Sequence, residues 1–370
     1  MLCLGLLLSV FANAQAPESF TVATLNVDGL PKKLLVVNVN PDGPGSAGSA
    51  RIGKYLTQKG YDLVMLQEDF NYNEELTVLL EDDYLMDEWS GNVDVEGHDI
   101  DFLHPQNHRF SCDGLMAAWK LGITVSDKQR TTWKGGFGKF SHALDEMVTK
   151  GFRRYDVTLA SGTQIVVYNM HMDAEDDADT REGKAVPDRK AREVQWQQLR
   201  DDIMQRLDQR PVVVVGDLNS LYCRDRVQEL FVDAIAATGK ATVTDCWIAL
   251  ENKGQYPAYQ DDCRITDNDE ELLGGESLDK ILCINPVGGG QLRPVTYSRD
   301  KEGYLHDGKP LGDHYPVSVT FEVQGTKGNT AIEELSAPDM QSSTYYDLQG
   351  RHVGQPAKGV YIYKGKKVVK

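Results

Sequence analysis

Apolar residues in this chain fall into short runs of two kinds. Segment 20–26 alternates between apolar and polar residues, whereas segments 62–67, 164–169 and 211–216 are apolar with little interruption. Alternation with a period of two predicts a strand with one buried face, and short continuous runs predict strands buried on both faces. We therefore expect at least four strands that build a buried sheet core.

Helical patterns lie between these runs. Segment 50–59 places Ile52, Tyr55 and Leu56 on one side, and segment 188–207 is a longer amphipathic stretch. Apolar residues at this spacing predict helices with one buried face. Strands that alternate with helices indicate an α/β fold, in which polar residues at the strand ends converge at one edge of a sheet.

Five short polar runs follow the apolar stretches. In chain order they occupy residues 24–31, 66–69, 169–173, 216–220 and 312–316. Each brings Asn, Asp, Glu or His to the end of a predicted strand. A divalent metal that acts on phosphate needs hard oxygen ligands, and histidines nearby can move protons. Together the five runs predict a metal-dependent site for phosphate chemistry.

Composition and charge narrow the range of partners. The chain has 370 residues, of which 41% are hydrophobic and 26% are charged, so we expect a sizeable core and an ordered monomer. The net charge of −17 argues against stable nucleic-acid binding, which depends on Lys and Arg. Nuclease activity stays open, because a bound metal can supply local positive charge.

The first 14 residues form an apolar segment that ends in Ala-Asn-Ala. This is the pattern of a secretory signal, although no basic residue precedes the apolar part. A buried N-terminal strand is the alternative. We expect residues 1–14 to be a signal peptide, which would make the mature protein secreted or exposed at the cell surface.

The cysteines do not form a metal-binding pattern. Cys3 lies in the predicted signal, and the other five show no CxxC spacing, so a zinc site is not expected. In an oxidising compartment about one or two disulfides can form, but spacing does not decide the pairing. Cys283 fits a buried strand thiol. The remaining cysteines are Cys112, Cys223, Cys246 and Cys263.

Two further segments differ in composition from the rest. Residues 133–140 are rich in glycine and carry three aromatic rings, which predicts a hairpin packed on the core. The alternative is an exposed tip that makes transient contact with a membrane surface. Residues 324–344 are polar and Gly/Ser rich, which is typical of a linker. Residues 345–370 predict a small β tail of two strands.

The polar runs resemble a known superfamily. Asn-Val-Asp-Gly-Leu, Leu-Gln-Glu, Gly-Asp-Leu-Asn, Leu-Asp-Lys and Gly-Asp-His-Tyr-Pro occur in the order found in the endonuclease/exonuclease/phosphatase superfamily, over roughly residues 20–322. Gly-Leu-Pro at 29–31 and His-Met-Asp-Ala-Glu-Asp at 171–176 look like the secreted sphingomyelinase branch. The tail resembles C-terminal modules of secreted Bacteroidetes proteins, some of which are sorting signals.

The resemblance implies a four-layer α/β/β/α sandwich, in which two packed mixed β-sheets carry helices on both outer faces. It also implies that Mg²⁺, or Mn²⁺ or Co²⁺ in its place, acts on a phosphate ester. The metal would be held by Glu68 and Asn26, with Asp313 beside them. This catalytic domain would occupy residues 15–323.

The catalytic roles combine the resemblance with the chemistry of the side chains. His314 titrates near neutral pH and suits a general base, and the resemblance nominates Asp279 to orient it. Asp217 can orient the attacking water, and Asn219 can donate a hydrogen bond to a phosphoryl oxygen. His171 can bind the phosphate as an imidazolium or protonate the leaving oxygen.

These expectations predict a secreted phosphodiesterase that hydrolyses a phospholipid such as sphingomyelin by in-line water attack. A secreted nuclease for DNA or RNA is the alternative. Asp28 favours the nuclease hypothesis, because it matches a metal-contacting position of some nuclease members. A third hypothesis is a binding module that keeps the fold without the chemistry.

Overall fold

The computed structural model describes most of the chain. The described residues are 18–34, 37–89, 112–134, 149–266 and 274–324, and, in the tail, 345–346, 352–353, 358, 360–363 and 366–369. The predicted signal at 1–14 and nearly all of the predicted linker lie outside these residues. The chain forms two compact units, Met1–Thr326 and Lys327–Lys370. The finer domain boundaries stay predictions.

The first unit contains two six-stranded sheets. The strands of sheet 1, in spatial order, are β13 (Gln291–Arg299), β16 (Val317–Gln324), β1 (Ser19–Asn26), β4 (Leu63–Gln67), β6 (Met116–Lys120) and β5 (Tyr84–Met86). Strands β1 and β4 at the centre are parallel, and the other neighbours are antiparallel.

Sheet 2 repeats this pattern of pairing. Its strands, in spatial order, are β11 (Ala241–Asp245), β12 (Asp279–Pro286), β10 (Val212–Asp217), β9 (Gln164–His171), β8 (Gly151–Thr158) and β7 (Thr124–Thr132). Strands β9 and β10 are parallel, and the remaining neighbours are antiparallel. Both sheets are therefore mixed, as predicted, and the apolar runs at 62–67, 164–169 and 211–216 form central strands.

Helices and short hairpins connect the strands. They are β2 (Lys33–Leu34), β3 (Val37–Asn38), α1 (Gly45–Lys59), α2 (Asn73–Thr77), α3 (Asp177–Glu182), α4 (Val186–Arg206), a π-helical turn (Gln228–Asp233), α5 (Ala234–Ala236), α6 (Cys246–Leu250), β14 (Leu305–His306) and β15 (Lys309–Pro310). Helix α4 begins two residues before the predicted start, with proline in its first turn, where a missing N–H costs little.

Strand alternation sorts the apolar residues into layers. Val213 and Val215 of β10 face the other sheet, whereas Val212 and Val214 face the helices. Helix α1 covers the outer face of sheet 1, and helix α4 covers the outer face of sheet 2. The predicted four-layer α/β/β/α sandwich is confirmed. The core between the sheets includes Phe20, Val22, Met65, Val167, Ile281 and Phe321.

The second unit is a small sheet of four strands where the sequence predicted two. Its spatial order is β18 (His352–Val353), β17 (Tyr345–Tyr346), β19 (Val360–Tyr363) and β20 (Lys366–Val369). None of the helices within the described residues combines the length and apolar character that a membrane crossing requires.

Candidate active site

The strands of the two sheets deliver polar side chains to one edge of the sandwich. Asn26 ends β1, and Glu68 directly follows β4, its parallel neighbour. His171 and Asp217 end the parallel strands β9 and β10 and lie opposite each other in the register. Asp279 begins the antiparallel strand β12 and pairs with Asp217. The sequence runs therefore meet because parallel strands place their carboxyl ends at one edge.

Asp217 lies at the centre of this group. Its Oδ2 accepts a hydrogen bond from Asn26 Nδ2 at 3.0 Å and lies 3.3 Å from His171 Nε2 and 3.8 Å from His314 Nε2. Its Oδ1 accepts from the backbone N–H of Asn219 at 3.0 Å. The buried carboxylate of Asp217 thus lies beside both histidines and accepts hydrogen bonds from the Asn26 side chain and from the Asn219 backbone.

Asn26 orients two carboxylates. Its Nδ2 donates to Glu68 Oε1 and to Asp217 Oδ2, each at 3.0 Å. Its Oδ1 accepts from the backbone N–H of Asp28 at 3.0 Å, which leaves a second lone pair on this oxygen. The role of Asn26 as a metal ligand stays a prediction.

Three carboxylates lie close enough to influence one another at the mouth of the site. Burial raises the pKa of Glu68 to about 7, and the negative charge of Asp313 adds to this effect. Burial and the charges of Asp313 and Glu68 raise the pKa of Asp28 to about 7. Carboxylates that repel one another in this way are a fitting environment for a divalent cation.

A second group also has the composition of a cation site. Asp217, Asp279 and His314 each offer one ligand atom, and these atoms lie within 4.8 Å of one another. However, Asp279 Oδ2 and His314 Nδ1 already contact each other at 2.7 Å. This contact occupies one ligand atom of each residue, and the carboxylates around Glu68 are the other candidate cation site.

His314 and Asp279 form a closely contacting pair. The 2.7 Å contact fixes the Nδ1 side of the ring and leaves Nε2 facing the site. Burial alone would lower the pKa of His314, but the charges of Asp279 and Asp217 and the Asp279 contact raise it well above 6.5. The pair has the geometry predicted for a base and its orienting carboxylate.

His171 has the opposite electrostatic environment. Burial, followed by the positive charges of Lys150 and His314, lowers the pKa of His171 well below 6.5. This direction favours the neutral ring over the imidazolium, which was one of two predicted roles of His171. It can still offer or accept a hydrogen bond beside the phosphate position.

Lys150 is a site residue that sequence reasoning missed. It is 5% exposed, and its Nζ lies 3.2 Å from His171 Nε2. Its charge opposes the rise in the pKa of Glu68. It lies one residue before β8 and outside the five polar runs, so no motif identified it. A buried cation here supplies positive charge where a phosphate would bind.

Three site residues have left-handed backbone conformations. The φ angles are 50° for Asp28, 56° for Glu68 and 46° for Asn219. Residues other than glycine adopt this region rarely, at a cost of about 1–3 kcal/mol each. The tight turns at the strand ends aim these side chains into the site. They carry strain that the surrounding packing must hold.

A buried ion-pair network braces the two loops that leave β9 and β10. Arg224 Nη2 donates to the backbone oxygen of Asn219 at 2.8 Å. Arg192 Nη1 donates to the backbone oxygen of Asp173 at 3.1 Å, and its Nε contacts Asp225 at 2.8 Å. Because Arg192 lies on α4, this helix fixes the loops that follow both His171 and Asp217.

Part of the glycine-rich aromatic segment can be described. Trp133 is buried, packs against Phe152 with ring centroids 5.1 Å apart, and donates from its indole nitrogen to the backbone oxygen of His171 at 2.7 Å. The Trp133 side chain therefore supports the backbone of His171. Residues 135–148, which carry the other rings of the segment, lie outside the described residues.

Solved structures share this fold at low sequence identity. An endonuclease/exonuclease/phosphatase family protein from Bacteroides thetaiotaomicron is 15% identical with a TM-score of 0.51, covering 84% of this chain and 100% of its own. A beta toxin structure from Staphylococcus aureus is 17% identical with a TM-score of 0.50, covering 81% and 99%. D. rerio TDP2 in complex with a single strand DNA product is 17% identical with a TM-score of 0.50, covering 82% and 99%.

Sequence comparison gives the family directly. None of the curated proteins matches this chain. The model of the Endonuclease/Exonuclease/phosphatase family matches residues 23–250, which is more than half of the chain and includes four of the five polar runs. The chain therefore belongs to the endonuclease/exonuclease/phosphatase family.

Proposed function

We propose that this protein is a divalent-metal-dependent phosphodiesterase that hydrolyses a choline-type phospholipid such as sphingomyelin. Members of the family are phosphoester hydrolases. The observation that carries the proposed reaction is the meeting of Asn26, His171 and His314 on one oxygen of Asp217, with Glu68 held beside them.

His314 is the proposed general base. Asp279 holds Nδ1, so the lone pair of deprotonated Nε2 faces the site and can take a proton from the attacking water. Asp217 Oδ2 lies 3.8 Å from this nitrogen and can orient the same water. The water then attacks phosphorus in line with the leaving alkoxide, which departs as an alcohol after it takes a proton from solvent water.

The developing charge on the phosphoryl group needs donors that are already in place. Lys150 supplies a buried positive charge, His171 a neutral ring N–H and Asn219 an amide. Asn219 Nδ2 donates one hydrogen to the backbone oxygen of Met172 at 3.1 Å, which fixes the amide plane. Fixed donors of this kind stabilise a transition state without reorganisation.

Glu68 would hold the divalent cation, with Asp28 and Asp313 close enough to share its charge. When bound, Mg²⁺ would neutralise phosphate charge and lower the pKa of a coordinated water. Asn26 keeps Glu68 in place through its 3.0 Å hydrogen bond. Magnesium is our proposal because hard carboxylate oxygens with room for water suit its octahedral shell.

Charge favours a zwitterionic lipid over a polyanion. The net charge is −17, and the mouth of the site carries Asp28, Glu68 and Asp313. A phosphocholine headgroup brings one cation towards these carboxylates, whereas a nucleic acid brings further phosphates. The resemblance of the sequence to the sphingomyelinase branch supports the same substrate.

A nuclease is the second candidate, and Asp28 is the observation that favours it. Asp28 matches a metal-contacting position of some nuclease members, and the charges of Asp313 and Glu68 raise its pKa. One structural neighbour, D. rerio TDP2, was solved with a single strand DNA product. That likeness concerns the fold, so the substrate must be tested directly.

The decisive experiment compares two substrates under one condition. Purified protein with Mg²⁺ is incubated with sphingomyelin vesicles or with plasmid, and phosphocholine release or nicking is measured, with chelator as a control. We expect phosphocholine release that chelator and His314→Ala both abolish. Plasmid cleavage without phosphocholine release rejects the lipid substrate, and vesicle binding without turnover of any phosphate ester supports a binding module.

We also propose that the protein is exported and that the tail acts as a sorting module. The apolar start, the Ala-Asn-Ala site and the likeness of the tail to Bacteroidetes modules support this. N-terminal sequencing of the protein collected outside the cytoplasm should begin at Gln15. Recovery of an intact N-terminus from the cytoplasm alone would reject export.

A further inference from the structure

Two cysteines meet beside the loop that carries Asn219. Cys223 and Cys263 are 40 residues apart in sequence, yet their Sγ atoms lie 2.8 Å from each other. Non-bonded heavy atoms normally rest roughly 3.5–4.0 Å apart. Both residues are nearly buried, at 4% and 5% exposure, but Cys263 lies between the exposed residues Asp262 and Arg264.

The segment around Cys263 indicates what a bond between the two sulfurs would do. Residues 251–266 consist of turns and irregular backbone and form no helix or strand. Asp262 and Arg264, which flank Cys263, are exposed. Within this stretch Cys263 and Thr266 are buried, and Cys263 joins a small apolar cluster outside the main core. That cluster is formed by Leu221, Cys223, Cys263 and Leu278, with Ile265 packed against it.

Backbone hydrogen bonds already align the two segments. The N–H of Gln260 donates to the backbone oxygen of Cys223 at 2.9 Å, and the N–H of Cys263 donates to Gln260 at 3.1 Å. Arg189 Nη2 donates to the backbone oxygen of Cys263 at 2.7 Å. The segment is therefore held in register with the Asn219 loop before any covalent bond exists.

We propose that Cys223 and Cys263 form a disulfide that staples residues 251–266 to the loop carrying Asn219. The two thiols lose two protons and two electrons, and the S–S bond forms between their sulfurs. A disulfide oxidant such as oxidised glutathione accepts the electrons and protons and becomes two reduced thiols. The staple closes a long loop, which stabilises the folded chain mainly by restricting the unfolded one.

Local charge assists the exchange. The hydrogen bond between the two thiols, with Arg189 and Arg224 nearby, lowers the pKa of Cys263 to about 7, while burial opposes the shift. A thiolate is the form that attacks a disulfide. Cys263 is therefore the attacking sulfur, and Cys223 resolves the mixed disulfide.

The chain offers a matched second pair for comparison. Cys246 and Cys283 also contact each other, but both are 0% exposed within the core between the sheets. Burial raises the pKa of the Cys246 thiol well above 9.0. This pair lacks both a route for an oxidant and a thiolate, so it stays reduced.

The test oxidises the full reduced chain with oxidised glutathione and counts thiols in denaturant before and after. We expect a loss of two thiols, a linked peptide pair that contains Cys223 and Cys263, and a melting temperature higher by roughly 5–10 °C that dithiothreitol reverses. Cys263→Ser should abolish the thiol loss and the shift. Cys112→Ser, a buried cysteine elsewhere, should retain both.

Peptide mapping of the unmodified chain keeps the outcome independent of how any variant folds. A linkage between Cys246 and Cys283, or an unchanged thiol count under an oxidant that cross-links a control dithiol peptide, overturns the proposal. Because the readouts are thiol number, mass and melting temperature, failure here does not bear on the phosphodiesterase reaction.

Discussion

One carboxylate oxygen of Asp217 lies beside two histidines whose pKa values are shifted in opposite directions. His171 Nε2 lies 3.3 Å from it and His314 Nε2 lies 3.8 Å from it. Asp279 raises the pKa of His314, whereas burial and the charge of Lys150 lower that of His171. The neighbours thus give the two rings different affinities for a proton, which are high at His314 and low at His171.

Replacing His314 by alanine should remove the proposed base and leave the fold intact. We expect kcat to fall by about 10²–10⁴, the typical contribution of a general base. The measurement is hydrolysis of a chromogenic phosphodiester with Mg²⁺, with circular dichroism to check folding. His306→Ala, an exposed histidine on β14, should keep full activity. Near-normal turnover of the His314 variant would exclude it as the base.

Asp279→Asn should lower the pKa of His314 in metal-free protein, because the carboxylate that stabilises the imidazolium is removed. Nuclear magnetic resonance titration of the ring measures this directly, and Asp307→Asn at an exposed position is the control. Because the folded pKa is raised, the stability from charged His314 is complete below about pH 6.5 and is lost as pH rises through the folded pKa. An unchanged titration in Asp279→Asn would contradict the pairing.

At the level of elements, the position of Glu68, the proposed cation ligand, depends on a close backbone approach between strand ends. A Cβ added to Gly29 would lie 2.3 Å from the backbone oxygen of Glu68. The same clash exists elsewhere, since a Cβ on Gly53 of α1 would lie 2.0 Å from the backbone oxygen of Leu76. A comparison of the two glycines therefore separates the loss of stability that overpacking causes at either site from the displacement of Glu68, which only Gly29 should cause.

Gly29→Ala and Gly53→Ala should both destabilise the protein, by about 1–3 kcal/mol from overpacking. Gly29→Ala should also displace Glu68 and raise the Mg²⁺ concentration needed for half-maximal activity by about tenfold or more. Gly53→Ala should leave that concentration unchanged. Urea unfolding and Mg²⁺ titration of activity measure the two effects. Equal Mg²⁺ dependence in both variants would show that the strand-end approach does not position Glu68.

Helix α4 carries a second test, at Arg192. This side chain is fully buried against Asp225 and Glu175, which keep Arg224 and Arg189 as partners, so Arg192→Met removes one charged hydrogen-bond partner from each and should cost about 1.5–3 kcal/mol. Arg206→Met on the same helix removes a half-exposed pair with Asp202 and should cost under about 1 kcal/mol. Urea unfolding compares them. A small loss for Arg192→Met would mean that the network does not brace the loops.

For the whole molecule, the layers could be predicted because they follow from local periodicity. The apolar runs became central strands, and the residues at their ends meet because the parallel pairs β1–β4 and β9–β10 open to one edge. The packing of two sheets against each other was predicted from the resemblance to the superfamily, which rests on the order of the polar runs. Asn26, Glu68, His171 and Asp217 were identifiable because each ends or follows a strand.

The remaining features depend on contacts between residues far apart in sequence. Lys150 meets His171 from the start of β8, and no motif marks that position. The neutral state of His171 follows from burial and from Lys150, which composition cannot reveal. The pairing of Cys223 with Cys263 likewise needed the fold. Tail strands of two residues gave too little alternation to predict four strands.

The charge of the whole chain makes its stability depend on the cation. With a net charge of −17 and repelling carboxylates at the site, the folded protein should gain about 2.7 kcal/mol when Mg²⁺ is present at 100 times its dissociation constant, or roughly 4–8 °C in melting temperature. Calorimetry with and without chelator measures the gain, and Glu251→Gln at an exposed position should preserve it.

Glu68→Gln should remove most of that gain, because the variant loses the carboxylate that would hold the cation. In chelator the same variant should melt no lower than the unmodified protein, since burial and Asp313 disfavour the charged form of Glu68 when no cation is present. The two melting curves would then differ only with Mg²⁺. A full Mg²⁺ response in Glu68→Gln would move the cation to the Asp217, Asp279 and His314 group.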